Sequence, residues 1–171
     1  MKLETILNSK KFQLFLKSTL EYINYIENSS NKPADEYFST LRKLLINLYS
    51  TAIDLSEIEL ITKTEISEKF NVENLDSITA KIKSCLVEKR YYNGIWNPTD
   101  LNDKEIITFD LLDDLQEIYR DLKSSLMIFE IKSFESIETA LFQFKNDFEL
   151  HWDHHCINAL RGIHFYLSKF K

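Results

Sequence analysis

The sequence predicts an all-α protein: a single domain over residues 1–171, built as an irregular bundle of six or seven helices. Three observations predict it. Apolar residues recur at three- and four-residue intervals through most of the chain, the pattern of helices that bury one face. Only two glycines and two prolines occur in 171 residues, too few for a fold made of many tight turns. Hydrophobic residues make up 44% of the chain, with 12 Phe, 8 Tyr and 2 Trp, enough to fill a core at this length. Helix is therefore expected over more than about 65% of residues, well above the usual share.

Residues 4–28 carry Ile6, Leu7, Leu14, Phe15, Tyr22 and Ile26 at helical recurrence and stop at the loop Asn28–Pro33. Pro33 suits the start of a second helix over 34–54. Its Tyr37, Leu41, Leu44, Leu45, Leu48, Tyr49 and Ala52 face one way. Leu55–Lys63 reads as connector, and Thr64 with Ser67 and Glu68 opens a short third helix ending by Phe70–Asn71. Asp76 is expected to cap a fourth helix, Ser77–Leu86, with Ile78, Ile82 and Leu86 inward. Arg90–Asp100 breaks the helical pattern. Asn93-Gly94 there has the composition of a hairpin turn, but no other strand is predicted for it to join, so a packed loop is expected. Helix resumes from Asn102 or Asp103 and stops near Ile131. Ser133 caps the next helix, in which Ile137, Leu141, Phe144 and Phe148 share a face. That helix either ends around His151 or bends into the last one, with Asp153 available as a new cap.

Two segments hold the densest mix of apolar spacing and ionisable groups: Leu111–Leu122 (LLDDLQEIYRDL) and His151–His164 (HWDHHCINALRGIH). In the first, Leu112, Leu115, Tyr119, Leu122, Leu126 and Phe129 form one stripe, bordered by Asp110, Asp114, Glu117 and Asp121. In the second, Trp152, Cys156, Ala159, Leu160, Ile163 and Leu167 form the apolar face, with His151 and His155 along one edge. Ionisable groups beside an apolar stripe become partly buried, and a lone buried charge is costly. The expected solution is a structural network of hydrogen-bonded pairs among Asp113, Asp114, Arg161 and His164, with Arg161 buried against carboxylates of the first segment. The competing one is a metal site in which His151 and His155 meet Asp114, Glu117 or Asp121. Imidazole with carboxylate suits zinc, iron or manganese. No HExxH or paired ExxH accompanies the two histidines, so no cofactor is expected. No catalytic residue is expected either: carboxylate pairs on a solvated helix face need no acid–base role, and Cys156 points away from its neighbour His155 on a helix. Tyr91, Tyr92 and Trp96 cluster where the helical pattern breaks. They are the candidate partner-binding residues, since Tyr and Trp anchor protein interfaces well; plugging the end of the bundle is their other use.

DDLQEIYRDLK (Asp113–Lys123) followed by HWDHHCINALRGIH resembles a bacterial all-helical family, domain-of-unknown-function family 5063, whose members read approximately DDLADIYRDLK and then HW-G-x-H-x-x-x-ALR-x-LH. The resemblance extends to YYNGIWNP (Tyr91–Pro98) and loosely to the N-terminal helices. The chain departs from the pattern at Asp153, where glycine is usual, and at Gln116 and Gly162, where alanine is common. The resemblance implies a compact helical fold and no established chemistry.

Charge and motif content exclude several classes. The net charge is −6 with no sustained basic run, which argues against a nucleic-acid surface. Gly94 and Gly162 cannot supply GxGxxG or GxxxxGK[ST]. The N-terminal MKLETILNSKKF lacks the apolar stretch of a signal peptide, and no run approaches a membrane span. Cys85 and Cys156 are isolated and fit buried free thiols in a reducing compartment. The sequence thus points to a cytoplasmic, non-enzymatic protein-interaction module with a protein partner. One concrete form is an immunity or antitoxin-like inhibitor of a basic partner. The alternative is a metal-dependent hydrolase using the His/carboxylate helix edge.

Overall fold

Capping residues divide the N-terminal half. The computed structural model describes residues 3–61 and 75–168, and 73% of these are helical. α1 (Leu3–Leu7) and α2 (Lys10–Asn28) are separate helices, not one, because Ser9 caps α2 by accepting from the Phe12 amide at 3.2 Å. α3 (Ala34–Ile53) follows Pro33. The short helix expected at Thr64–Asn71 lies outside the described residues. α4 (Leu75–Leu86) begins early enough to place Asp76 in its first turn rather than at its cap.

Helix does not resume at Asn102 or Asp103. Instead β1 (Tyr91–Gly94) pairs antiparallel with β2 (Ile107–Asp110), from Tyr91↔Asp110 to Gly94↔Ile107. Asn93-Gly94 therefore lies inside a strand, and the segment is neither a hairpin turn nor a plain loop. The β-forming run is Ile106-Ile107-Thr108-Phe109, β-branched and aromatic throughout. Gly94 sits where the Phe109 ring and the Arg161 guanidinium converge: a Cβ there would meet them at 2.7 and 2.9 Å.

α5 (Leu111–Glu130) leaves β2 directly. Asp110 ends the strand and caps the helix, accepting from the Leu112 amide at 3.0 Å while Arg90 Nε donates to the same carboxylate at 2.7 Å. α6 (Phe134–Asp147) is capped by Ser133 and runs unbroken through a π-turn (Phe148–Trp152) into α7 (Asp153–Ser168). Asp153 has helical dihedrals and does not start a new cap.

α5 is the central element and packs against α2, α4, α6 and α7, while α3 covers α2 and α7. Its Leu115, Ile118 and Leu122 share one core with Phe15, Phe38, Leu45, Phe144 and Trp152. Polar ties fix α2 on α5: the Tyr22 hydroxyl donates to the Leu115 carbonyl at 2.9 Å, and Glu27 accepts from Tyr119 and Lys123 at 2.9 and 2.7 Å. Cys85 and Cys156 are buried free thiols. Among the described residues, no helix is long and apolar enough to cross a membrane.

Candidate functional site

The seam between α5 and the π-turn–α7 segment brings together a run of partly buried acids and histidines. At its inner end Asp114 is only 3% exposed. Its carboxylate accepts from the Tyr92 hydroxyl at 2.7 Å and from His155 Nδ1 at 3.0 Å. Burial pushes the Asp114 carboxyl up, against the lowering effect of His155 and Tyr92. At His155 the hydrogen bond to Asp114 wins over burial and holds the imidazole above its ordinary value. The Tyr92 phenol is pushed far up by burial and by the Asp114 charge, so it stays protonated and donates. The Tyr92 ring lies against Gly162, where a Cβ would stand 3.0 Å from two of its carbons.

One turn outward the same residue types meet in another ratio. His151 Nδ1 lies 2.6 Å from Asp121 Oδ2, and its Nε2 lies 3.7 Å from Glu117 Oε2. Arg120 pairs with Glu117, and its Nε stands 3.8 Å from Asp121. One potential ligand atom from each of Glu117, Asp121 and His151 falls within 4.8 Å of the others. Asp147 stands near enough to feel the charges of this group. Its carboxyl is pushed up to about 6, first by burial and then by the Asp121 charge, with Asn146 and His151 acting the other way. The π-turn carries His151, and such turns occur often at functional positions.

A line of stacked rings leads from the inner end of the seam to the surface. Tyr92 stacks on Phe109 at 5.5 Å between centroids, and Phe109 on Trp96 at 6.5 Å. Trp96 is 71% exposed. Tyr91 faces outward beneath the Arg90 guanidinium, 4.8 Å from its ring centroid. Leu101 and Ile106, both in the 95–106 connection, are also exposed.

A family model described as Domain of unknown function (DUF5063) matches residues 7–169. The chain belongs to this family. The DUF5063 match takes in the whole seam and both strands. The fold is also that of protein BF1032 from Bacteroides fragilis, whose crystal structure is similar over 96% of this chain and 99% of that one. The TM-score is 0.79 at 22% identity, a likeness that establishes the fold alone. No match to a curated protein was found.

In this DUF5063 chain the five metal-ligand candidates divide into two sets. Glu117, Asp121 and His151 come together; Asp114 and His155 form a separate pair with Tyr92. The network expected among Asp113, Asp114, Arg161 and His164 does not form. Asp113, Arg161 and His164 are exposed; Arg161 lies across Gly94 and His164 is near the Ser168 hydroxyl. The reason is the rotation of α7: Cys156, Ala159 and Ile163 turn into the core and Gly162 faces Tyr92, which leaves Arg161 and His164 on the outside. Tyr92 correspondingly leaves the exposed aromatic cluster, where only Tyr91 and Trp96 remain. Sequence reasoning missed Tyr92 as the donor to Asp114 because strand alternation, which sends Tyr91 and Tyr92 to opposite sides, was not predicted there. It also missed Asp147, whose signal was its four-residue spacing from His151.

Proposed function

We propose that the chain is a non-enzymatic protein-interaction module and that the β1–β2 extension is its contact surface. The observation that supports this reading is Trp96, 71% exposed and stacked almost parallel on Phe109. An aromatic side chain held in place by a ring behind it loses little freedom on binding, the property of an interface anchor. Tyr91, Leu101 and Ile106 add apolar surface that the core does not use. The net charge of −6 favours a basic partner, as for an immunity or antitoxin-like inhibitor acting in the cytosol. The hydrolase alternative has less support, because Asp114 and His155 satisfy each other and do not converge with the remaining ligands.

The test is the pair Trp96→Ala and Tyr91→Ala. Each is expected to change stability by less than about 0.5 kcal/mol, as exposed positions do. A partner captured by the full chain and identified by mass spectrometry should bind the Trp96 variant more weakly by roughly 2 kcal/mol. Unfolding of Trp96→Ala, or undiminished partner binding by both variants, would remove the support for this surface.

A further inference from the structure

We propose that Glu117, Asp121 and His151 bind a divalent first-row transition metal at the outer end of the seam. The site is independent of the Trp96 surface. Two of its donors, Glu117 and Asp121, are spaced by four residues on α5, and the third, His151, lies within the π-turn. Four-residue spacing brings two side chains to one face of a helix, so α5 offers two ligands to the one across the seam. All three already lie within 4.8 Å of one another. That distance is a short contraction away from the separations around a bound ion, whose ligand bonds are about 2.0–2.2 Å.

Charge supports the same reading. Two carboxylates, Glu117 and Asp121, face a single guanidinium, Arg120, whose side chain is 46% exposed. The nearby cations are engaged elsewhere: Lys123 with Glu27 and Lys145 with Glu149. Among the described residues Asp147 makes no ion pair, and its hydrogen-bond partner is the Asn146 amide at 3.4 Å. A divalent ion would neutralise the surplus that the protein leaves uncompensated. Arg120 can swing into water as the ion enters. One imidazole with carboxylate oxygens selects zinc, manganese or ferrous iron over calcium, which prefers six to eight oxygens. His151 is 39% exposed at its side chain, so an ion has a route in.

The experiment uses the full chain stripped with chelator and titrated with zinc or manganese chloride by calorimetry, with cobalt(II) absorption as the report on ligation. One equivalent should bind zinc or manganese and raise the melting temperature. Asp121→Asn and His151→Gln should each weaken binding at least tenfold, while Asp113→Asn, an outward acid on the same helix, should not. Absence of binding at millimolar metal, or binding retained in both ligand variants, overturns the site. Should Asp121→Asn or His151→Gln fail to fold, Glu117→Gln decides: it should weaken binding at least tenfold while melting as wild type does in chelator.

Discussion

At the inner end of the α5–α7 seam one carboxylate, Asp114, meets two donors, Tyr92 and His155. At the outer end two carboxylates, Glu117 and Asp121, share His151 and Arg120. The residue types are the same; the burial and the count differ. The inner group is sealed under the Tyr92 ring and has its hydrogen bonds met, so it has no slack. The outer group touches water, which screens its repulsion and lets Arg120 come and go. Polar groups whose partners are all buried are therefore pinned, whereas those paired with the half-exposed His151 and Arg120 keep spare valence. That difference is why the structural role falls to one end and the binding proposal to the other.

The largest effect should come from breaking the inner end. Asp114→Ala strands His155 and the Tyr92 hydroxyl together, and urea melts should show a loss of about 3 kcal/mol, as for other buried pairs cut on one side. A loss under about 1 kcal/mol would make the two ends equivalent. A pH series sharpens the same contrast. The His155 pKa is raised in the fold by Asp114. The stability this pair contributes is therefore complete below the unfolded histidine value of about 6.5 and is lost as pH climbs through the higher folded value. Melting temperatures should fall over that window in wild type and fall less in His155→Gln; parallel curves would assign the slope to other groups.

Gly162→Ala tests the seal itself. Alanine favours a helix by about 1 kcal/mol over glycine. Here the new methyl would meet the Tyr92 ring at 3.0 Å, and that ring is held by Asp114 and by its stack on Phe109. A net loss of about 1 kcal/mol is expected, turning into a gain when Tyr92→Ala is also present. The smallest effect is at the periphery. Arg161→Ala should cost about 0.5 kcal/mol or less, since Arg161 is exposed. The sequence alone predicted a buried charge there and a loss near 3 kcal/mol, so one melt distinguishes the two accounts.

The contrast also explains what the chain made legible. Leu115, Tyr119, Leu122 and Leu126 repeat long enough for the helical period to stand out, and Ser133 ahead of Phe134 marks its helix start in isolation. Four-residue strands carry too little alternation to be read, and β1 and β2 find each other across a 12-residue connection (residues 95–106) that local pattern does not see. The seam followed the same rule. Asp121 and His151 were readable because each sits on its own helix edge. The donor to Asp114 was not, because Tyr92 reaches it from the strand, and pairing of that kind is set by tertiary packing alone.

The π-turn sets the phase between α6 and α7. Phe144, Phe148, Trp152 and Cys156 are all buried, at three successive steps of four. At about 100° per residue each such step overshoots a full turn by about 40°, so three of them would swing the buried face round by roughly 120°. The π-turn takes up that overshoot by winding more residues into one turn, and α6 and α7 stay on one side of the bundle as a wave with a one-residue delay. Deleting the exposed Leu150 would cancel the delay. It would rotate every side chain of α7 by about 100° and exchange the residues that face Asp114 and Asp121, without altering a single amino acid in the helix itself.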